Sequence, residues 1–176
     1  MSGHNKWSKI KHKKAVGDAK KSKIYSKLVK LIQIESKNSN GNVSSPSLRS
    51  VIEKAKAENM PKDTIDRAVK KGVSNDTALM EHVVYEAYGP GGCAIIIEGI
   101  TDNKNRSAAE IKHILLKNDL SLAAPGSAVW AFKKTGEGWI AETTTQITNA
   151  DEEKLEKLLE ELTDQDDVQE VYINTI

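Results

Sequence analysis

Residues 82–101 read HVVYEAYGPGGCAIIIEGIT, two runs rich in β-branched and aromatic residues on either side of a Pro-Gly-Gly break. Such side chains suit a pleated surface, and Gly and Pro supply the dihedrals of a tight reversal, so the stretch predicts a hairpin. It also marks a change of period, because what precedes it is patterned for helices.

From Val16 to about Lys37, Ala19, Ser22, Tyr25, Leu28, Val29 and Ile32 recur at steps of three and four, with Lys20, Lys23, Lys27 and Lys30 towards the other side. A polar loop, NSNGNVSSPS (38–47), leads into a second helix with Ser45 as its N-cap and Pro46 at its first position. Asn59 and Pro61 punctuate that helix near Glu58. KDTIDRAVKKG then predicts a third, with Ile65, Ala68 and Val69 inward and Gly72 as a left-handed C-terminal cap. Three helices in about seventy residues make a small bundle.

After the hairpin, NRSAAEIKHILLKND (105–119) predicts a helix, with Asn105 as its cap and Ala108, Ile111, Ile114 and Leu115 facing a sheet. SAVWAFKKTGEGWIAETTTQIT (127–148) predicts two strands around TGEG. A long acidic helix after Asp151 carries Leu155, Leu158, Leu159 and Leu162, and VQEVYINTI ends in a strand with Val168, Val171 and Ile173 inward. The order β-β-α-β-β-α-β gives an α+β class, its last six elements in ferredoxin-like order with two helices over one face of a mainly antiparallel sheet. Two domains are expected, a basic helical one at 1–76 and an acidic α+β one at 77–176.

Charge divides along the same line. Residues 1–74 hold 18 Lys+Arg against 6 Asp+Glu, a net +12, whereas residues 75–176 hold 8 against 19, a net −11. Such asymmetry points to a module facing a polyanion joined to an acidic partner. Alternative uses of the basic start lack their companions. No apolar run or cleavage site follows for secretion, the basic residues before Arg49 are Lys or His where transit peptides favour Arg, and no run approaches a membrane span. The single Cys93 excludes an internal disulfide and suits a reducing compartment, so a cytoplasmic protein without membrane contact is expected.

Catalytic and metal chemistry find little support. GPGG (89–92) lacks phosphate-loop spacing and a following Lys, PGS (125–127) and TGEG (135–138) read as turns, and Cys93 sits in an apolar strand. His4 and His12 have no ligand spacing, His82 and His113 read as structural, and the acids of DEE (151–153) and DQDD (164–167) flank a helix. No enzyme, cofactor, metal or small-molecule substrate is expected. What remains is electrostatic: Lys6, Lys9, Lys11, Lys13, Lys14, Lys20, Lys21, Lys23, Lys27 and Lys30, with Trp7 and His12 among them and Lys62, Arg67, Lys70 and Lys71 extending the set from the third helix. Lysines neutralise phosphates as point charges without the fork that reads guanine, so sequence-tolerant nucleic-acid binding follows, with Trp7 free to stack on a base or to anchor the arm.

Taken together, GHNKWSKIKHKKA, DAKKSKIYSKL, AENMPKDTIDRAVKKG, YEAYGPGG, TDNKNR, PGSAVWAF and DDVQEVYIN resemble the YebC family over nearly the whole chain. That family is known as probable transcriptional regulators, with a mitochondrial relative that activates translation of a cytochrome oxidase subunit. The resemblance implies a helical N-terminal domain followed by α/β domains, and a non-enzymatic factor acting on DNA or, as a ribosome-associated factor, on ribosomal RNA. Typical members insert a further α/β domain after the strand corresponding to GWIAE; here the two ends are joined directly, so this chain is expected to lack it.

Overall fold

The computed structural model describes residues 18–74 and 80–176, which group into a helical unit and an α+β unit. In the helical unit, α1 spans Asp18–Asn38, α2 Pro46–Ala57 and α3 Lys62–Val73. Their apolar stripes meet around Ile32, Leu48, Val51, Ala55, Met60, Ile65 and Ala68, with Tyr25, Leu28 and Val69 half-buried against them. Ser45 and Pro46 start α2 as the sequence predicts, although the Ser45 hydroxyl lies 3.3 Å from Ser47 Oγ instead of capping the helix. Asn59 ends α2 in the left-handed region, φ 60°, while Met60 N–H bonds back to Ala55 O.

Two side-chain bonds set the direction of the helices. Tyr25 hydroxyl donates to Asn59 O at 2.8 Å, and Ser36 hydroxyl donates to Val69 O at 2.7 Å. Hence α1 and α3 run side by side in the same sense and α2 runs back between their ends. Gly72 corrects the sequence reading here. It is not a left-handed cap but lies within α3, where a Cβ would fall 2.4 Å from Gln33 O and 2.7 Å from Ser36 Cβ. The missing side chain lets α3 approach the α1 backbone.

The α+β unit keeps the predicted order: β1 Glu81–Tyr88, β2 Ala94–Thr101, α4 Lys104–Lys117, β3 Phe132–Thr135, β4 Gly138–Ala141, α5 Asn149–Asp164 and β5 Val168–Ile173. The first hairpin is closed by Gly89 N–H on Cys93 O at 2.8 Å, with a single 3-10 turn over Pro90–Gly92 between the strands. α4 starts at Lys104, so Asn105 lies inside its first turn and is not its cap. The strands divide between two sheets: β1-β2-β5 make one, and β3 pairs with β4 in the other. β2 and β5 are antiparallel, with Ile95 opposite Ile173 and Ile97 opposite Val171, and a register shift at Glu98/Gly99.

Alternation along β2 explains why the run AIII is apolar without a break. Ile95 and Ile97, with Val171 and Ile173 of β5, face Ile111 and Leu115 of α4 and Leu155, Leu158, Leu159 and Leu162 of α5. Ala94 and Ile96, with Tyr172, face the other way onto Ala128, Ala131 and Phe132. Helices therefore cover one face and the β3–β4 hairpin covers the other, which is the condition for a strand to lose its polar positions. Each of these buried Ile and Leu side chains contributes about 1.5–3 kcal/mol.

The predicted strand over 127–131 is absent, and its place is taken by turns and a short 3-10 segment at Val129–Ala131. The cause is a non-local carboxylate. Glu86 of β1, 8% exposed, accepts Gly126 N–H at 2.6 Å on one oxygen, and Ala128 and Val129 N–H at 2.7 and 2.9 Å on the other. Three consecutive-region amides aimed at one anion cannot also form a ladder.

Candidate nucleic-acid interface

An α-helix turns 100° per residue. On α1 this puts Lys20, Lys23, Lys27 and Lys30 inside one arc of about 80°, opposite the side that carries Tyr25, Leu28 and Ile32. Lys20 is exposed, whereas Lys23, Lys27 and Lys30 are half-buried, their stems lying along protein surface. Lys21 stands apart from the arc, on the Tyr25 side, and is exposed.

On α3, Arg67, Lys70 and Lys71 are exposed; Arg67 and Lys70 lie opposite Ile65, Ala68 and Gly72, Lys71 flanks that side next to Ala68, and Lys62 occupies the first position. Because α3 meets α1 through that buried side, Arg67 and Lys70 point away from the α1 lysine arc. Lys71 also stands level with Ser36, some sixteen residues or roughly 24 Å along the axis from Lys20. Arg67 is engaged locally, its guanidinium donating to Asp63 O at 3.2 Å and Thr64 Oγ1 at 3.4 Å. Lys6, Trp7, Lys9, Lys11, His12, Lys13 and Lys14 lie outside the described residues.

In the α+β unit, Cys93 is buried and its thiol is pushed up to about 11, burial being the main cause, as befits a core residue. Among the described residues no group of three or more His, Cys, Asp or Glu is placed to hold a metal ion. No helix among them is long and apolar enough to cross a membrane. α5 starts at Asn149, so the DEE acids lie inside the helix and do not flank it; Asp151 accepts the Thr148 hydroxyl at 2.7 Å in the first turn. Asp167 differs from its exposed neighbour Asp166: it is 2% exposed and paired with Arg106 at 3.1 Å.

These framework residues carry no signal singly in the sequence, yet they fall within the segments that resemble the YebC family. Glu86 of YEAYGPGG binds the backbone of PGSAVWAF; Arg106 of TDNKNR pairs with Asp167 of DDVQEVYIN. Asn174, closing that last segment, accepts Ala94 N–H at 2.7 Å and donates to Thr143 O at 3.1 Å. These four segments are distant in sequence and joined in two pairs.

The chain thus comprises a helical bundle with a lysine-bearing face and a two-sheet α+β unit. Residues 5–75 match the family description "TACO1/YebC protein N-terminal domain", and residues 80–138 and 137–175 match "TACO1/YebC second and third domain". The chain belongs to the TACO1/YebC family. A "probable transcriptional regulatory protein" of Fervidobacterium nodosum is 49% identical over 154 residues, which cover 86% of this chain but 60% of that one. One from Thermosipho africanus is 38% identical over 235 positions, covering 99% and 93%. The crystal structure of a conserved hypothetical protein from Aquifex aeolicus superposes with a TM-score of 0.84 at 28% identity, covering 90% of this chain and 91% of that one.

An alignment of 235 positions is longer than this chain of 176 residues, so the Thermosipho protein carries residues without counterpart here. The two parts of the second family match meet at 137–138, where β4 and GWIAE begin, a few residues ahead of the junction expected after GWIAE. At the β3–β4 turn the hairpin is closed by Thr135, whose hydroxyl donates to Gly138 O at 2.9 Å.

Proposed function

We propose that this chain is a non-enzymatic, nucleic-acid-binding regulator of gene expression that binds DNA through its lysine-rich helical unit. The observation that carries the reading is the arc of Lys20, Lys23, Lys27 and Lys30 on α1, within a half of net charge +12. Four ammonium groups along one helical face form a row of positive charge that suits a polyanion more than a small ligand, and binding then draws on counterion release. The names borne by the Fervidobacterium and Thermosipho relatives agree with a regulatory role. Lys62, Arg67, Lys70 and Lys71 provide further basic residues on α3, and the N-terminal segment contributes the charge of Lys6, Lys9, Lys11, Lys13 and Lys14, together with Trp7 and His12. Titrating labelled duplex DNA at rising salt tests the proposal, and an affinity indifferent to salt overturns it.

A second reading, a ribosome-associated translation factor on ribosomal RNA, draws on the preference for Lys over Arg. Lysine contacts phosphate without reading base edges, which suits a structured RNA as well as a duplex. Sedimentation with ribosomes in low salt decides it: protein that stays at the top of the gradient rules it out.

A further inference from the structure

One patch of the α+β unit is built unlike its surroundings. Trp130 is 60% exposed and Tyr88, at the end of β1, is 38% exposed. Trp130 Nε1–H donates to the Tyr88 hydroxyl at 3.0 Å, and that hydroxyl donates to Ser127 O. Two bonds in series fix both rings while leaving apolar ring surface uncovered. Trp139 is the contrast: its N–H goes to Glu98 at 2.7 Å and the Lys134 ammonium lies 5.1 Å from its ring centre.

Beside Tyr88 opens a groove of about 610 Å³ lined by Leu116, Asp119, Leu120 and Ala123. α4 supplies its basic flank, since Lys112 and His113 precede Leu116 by four and three residues and share its exposed side. Of the basic residues at 104–134, Arg106, Lys117 and Lys134 pair with Asp167, Glu161 and Glu98, whereas Lys112 and His113 stand on the exposed side of α4 that carries Leu116.

We infer that the Tyr88–Trp130 platform and its groove bind an unpaired base of a single-stranded nucleic acid, with Lys112 and His113 towards the phosphate. A fixed aromatic plane stacks on any base, and an adjacent cation adds phosphate attraction without sequence choice. An amphipathic peptide is the competing occupant; the exposed Lys112 and His113 next to Leu116 favour the polyanion. The inference rests on the reading of the protein as nucleic-acid-binding but concerns a different surface from α1.

The test uses the full chain, a labelled twelve-nucleotide oligouridylate and a labelled DNA duplex. Trp130→Ala should weaken single-strand binding roughly five- to hundredfold, and Trp130→Phe less, with duplex affinity unchanged. Asp119→Asn removes the one acid lining the groove and should tighten single-strand binding; Asp119 has φ 60°, which Asn adopts readily, so this variant decides if the Trp130 variants do not fold. Wild-type single-strand affinity in the folded Trp130 variants, or unchanged or weaker affinity in Asp119→Asn, overturns the platform. If replacing the α1 lysines abolishes binding of both probes while these three variants leave it untouched, the platform falls and the α1 reading stands. Absence of any binding to either probe overturns both.

Discussion

Glu86 and Ala128 are 42 residues apart and joined by a 2.7 Å hydrogen bond from the Ala128 amide to the Glu86 carboxylate. This bond, with those from Gly126 and Val129, holds the 125–131 segment in turns and delivers Phe132 and Ala131 onto the sheet. Burial pushes the Glu86 carboxyl up, but the three amide bonds outweigh it and the group ends below its ordinary value.

A depressed folded pKa sets the sign of a pH dependence. The stabilisation from Glu86 is complete above the unfolded carboxylate value of about 4.3 and is lost as pH falls through the lower folded value. Glu86→Gln keeps the shape but turns an amide towards donors, and should cost about 1–3 kcal/mol at neutral pH. Urea unfolding from pH 7 to 3 should show a smaller acid-side loss in the variant. Equal losses in both proteins would remove Glu86 from the acid response.

Gly72→Ala separates two accounts of one residue. In an ordinary helix interior Ala is favoured over Gly by about 0.8–1 kcal/mol. Here its Cβ would meet Gln33 O and Ser36 Cβ, so the helices must separate, at about 1–3 kcal/mol. A rise in thermal midpoint would contradict the close approach of α1 and α3.

Arg106→Ala leaves the buried Asp167 carboxylate without its guanidinium. Arg106 is itself half exposed, so water softens the loss to about 1–3 kcal/mol, short of a fully buried pair. Asp167→Asn in the same background should recover part of it, because a neutral side chain needs no counter-charge. No recovery in chemical denaturation would mean that the pair matters through packing alone.

These contacts show where sequence reading reached its limit. Elements were legible wherever a period repeats: Tyr25, Leu28 and Ile32 marked α1, and the Leu155–Leu162 stripe marked α5. The change to β-branched runs at His82 marked the hairpin. Gly72 was misread because a glycine near a helix end looks the same as a cap and as a close approach, and the neighbour that decides, Gln33, is 39 residues away. The strand expected from Ser127 failed for a similar reason, since Val and Trp there favour a strand locally while Glu86 claims the amides from another part of the chain. The lysines of α1 were legible by spacing alone. Their separation from Arg67 and Lys70 was not, because it depends on which side of α3 meets α1. Trp130 carries no periodic signal of its own; its hydrogen bond to Tyr88 sets it apart from an ordinary strand residue.

The lysine arc of α1 carries the functional proposal, and its most direct test is the salt dependence of duplex binding. Fluorescence anisotropy of a labelled duplex would be followed from low to moderate salt for the wild type and for Lys20→Gln, Lys23→Gln, Lys27→Gln and Lys30→Gln combined, with circular dichroism confirming the helices. At about 0.9 per neutralised phosphate, the log–log slope should flatten by roughly 3 to 4 and low-salt affinity should drop with it. A folded quadruple variant that keeps the wild-type slope and affinity would contradict the assignment of this face to nucleic acid.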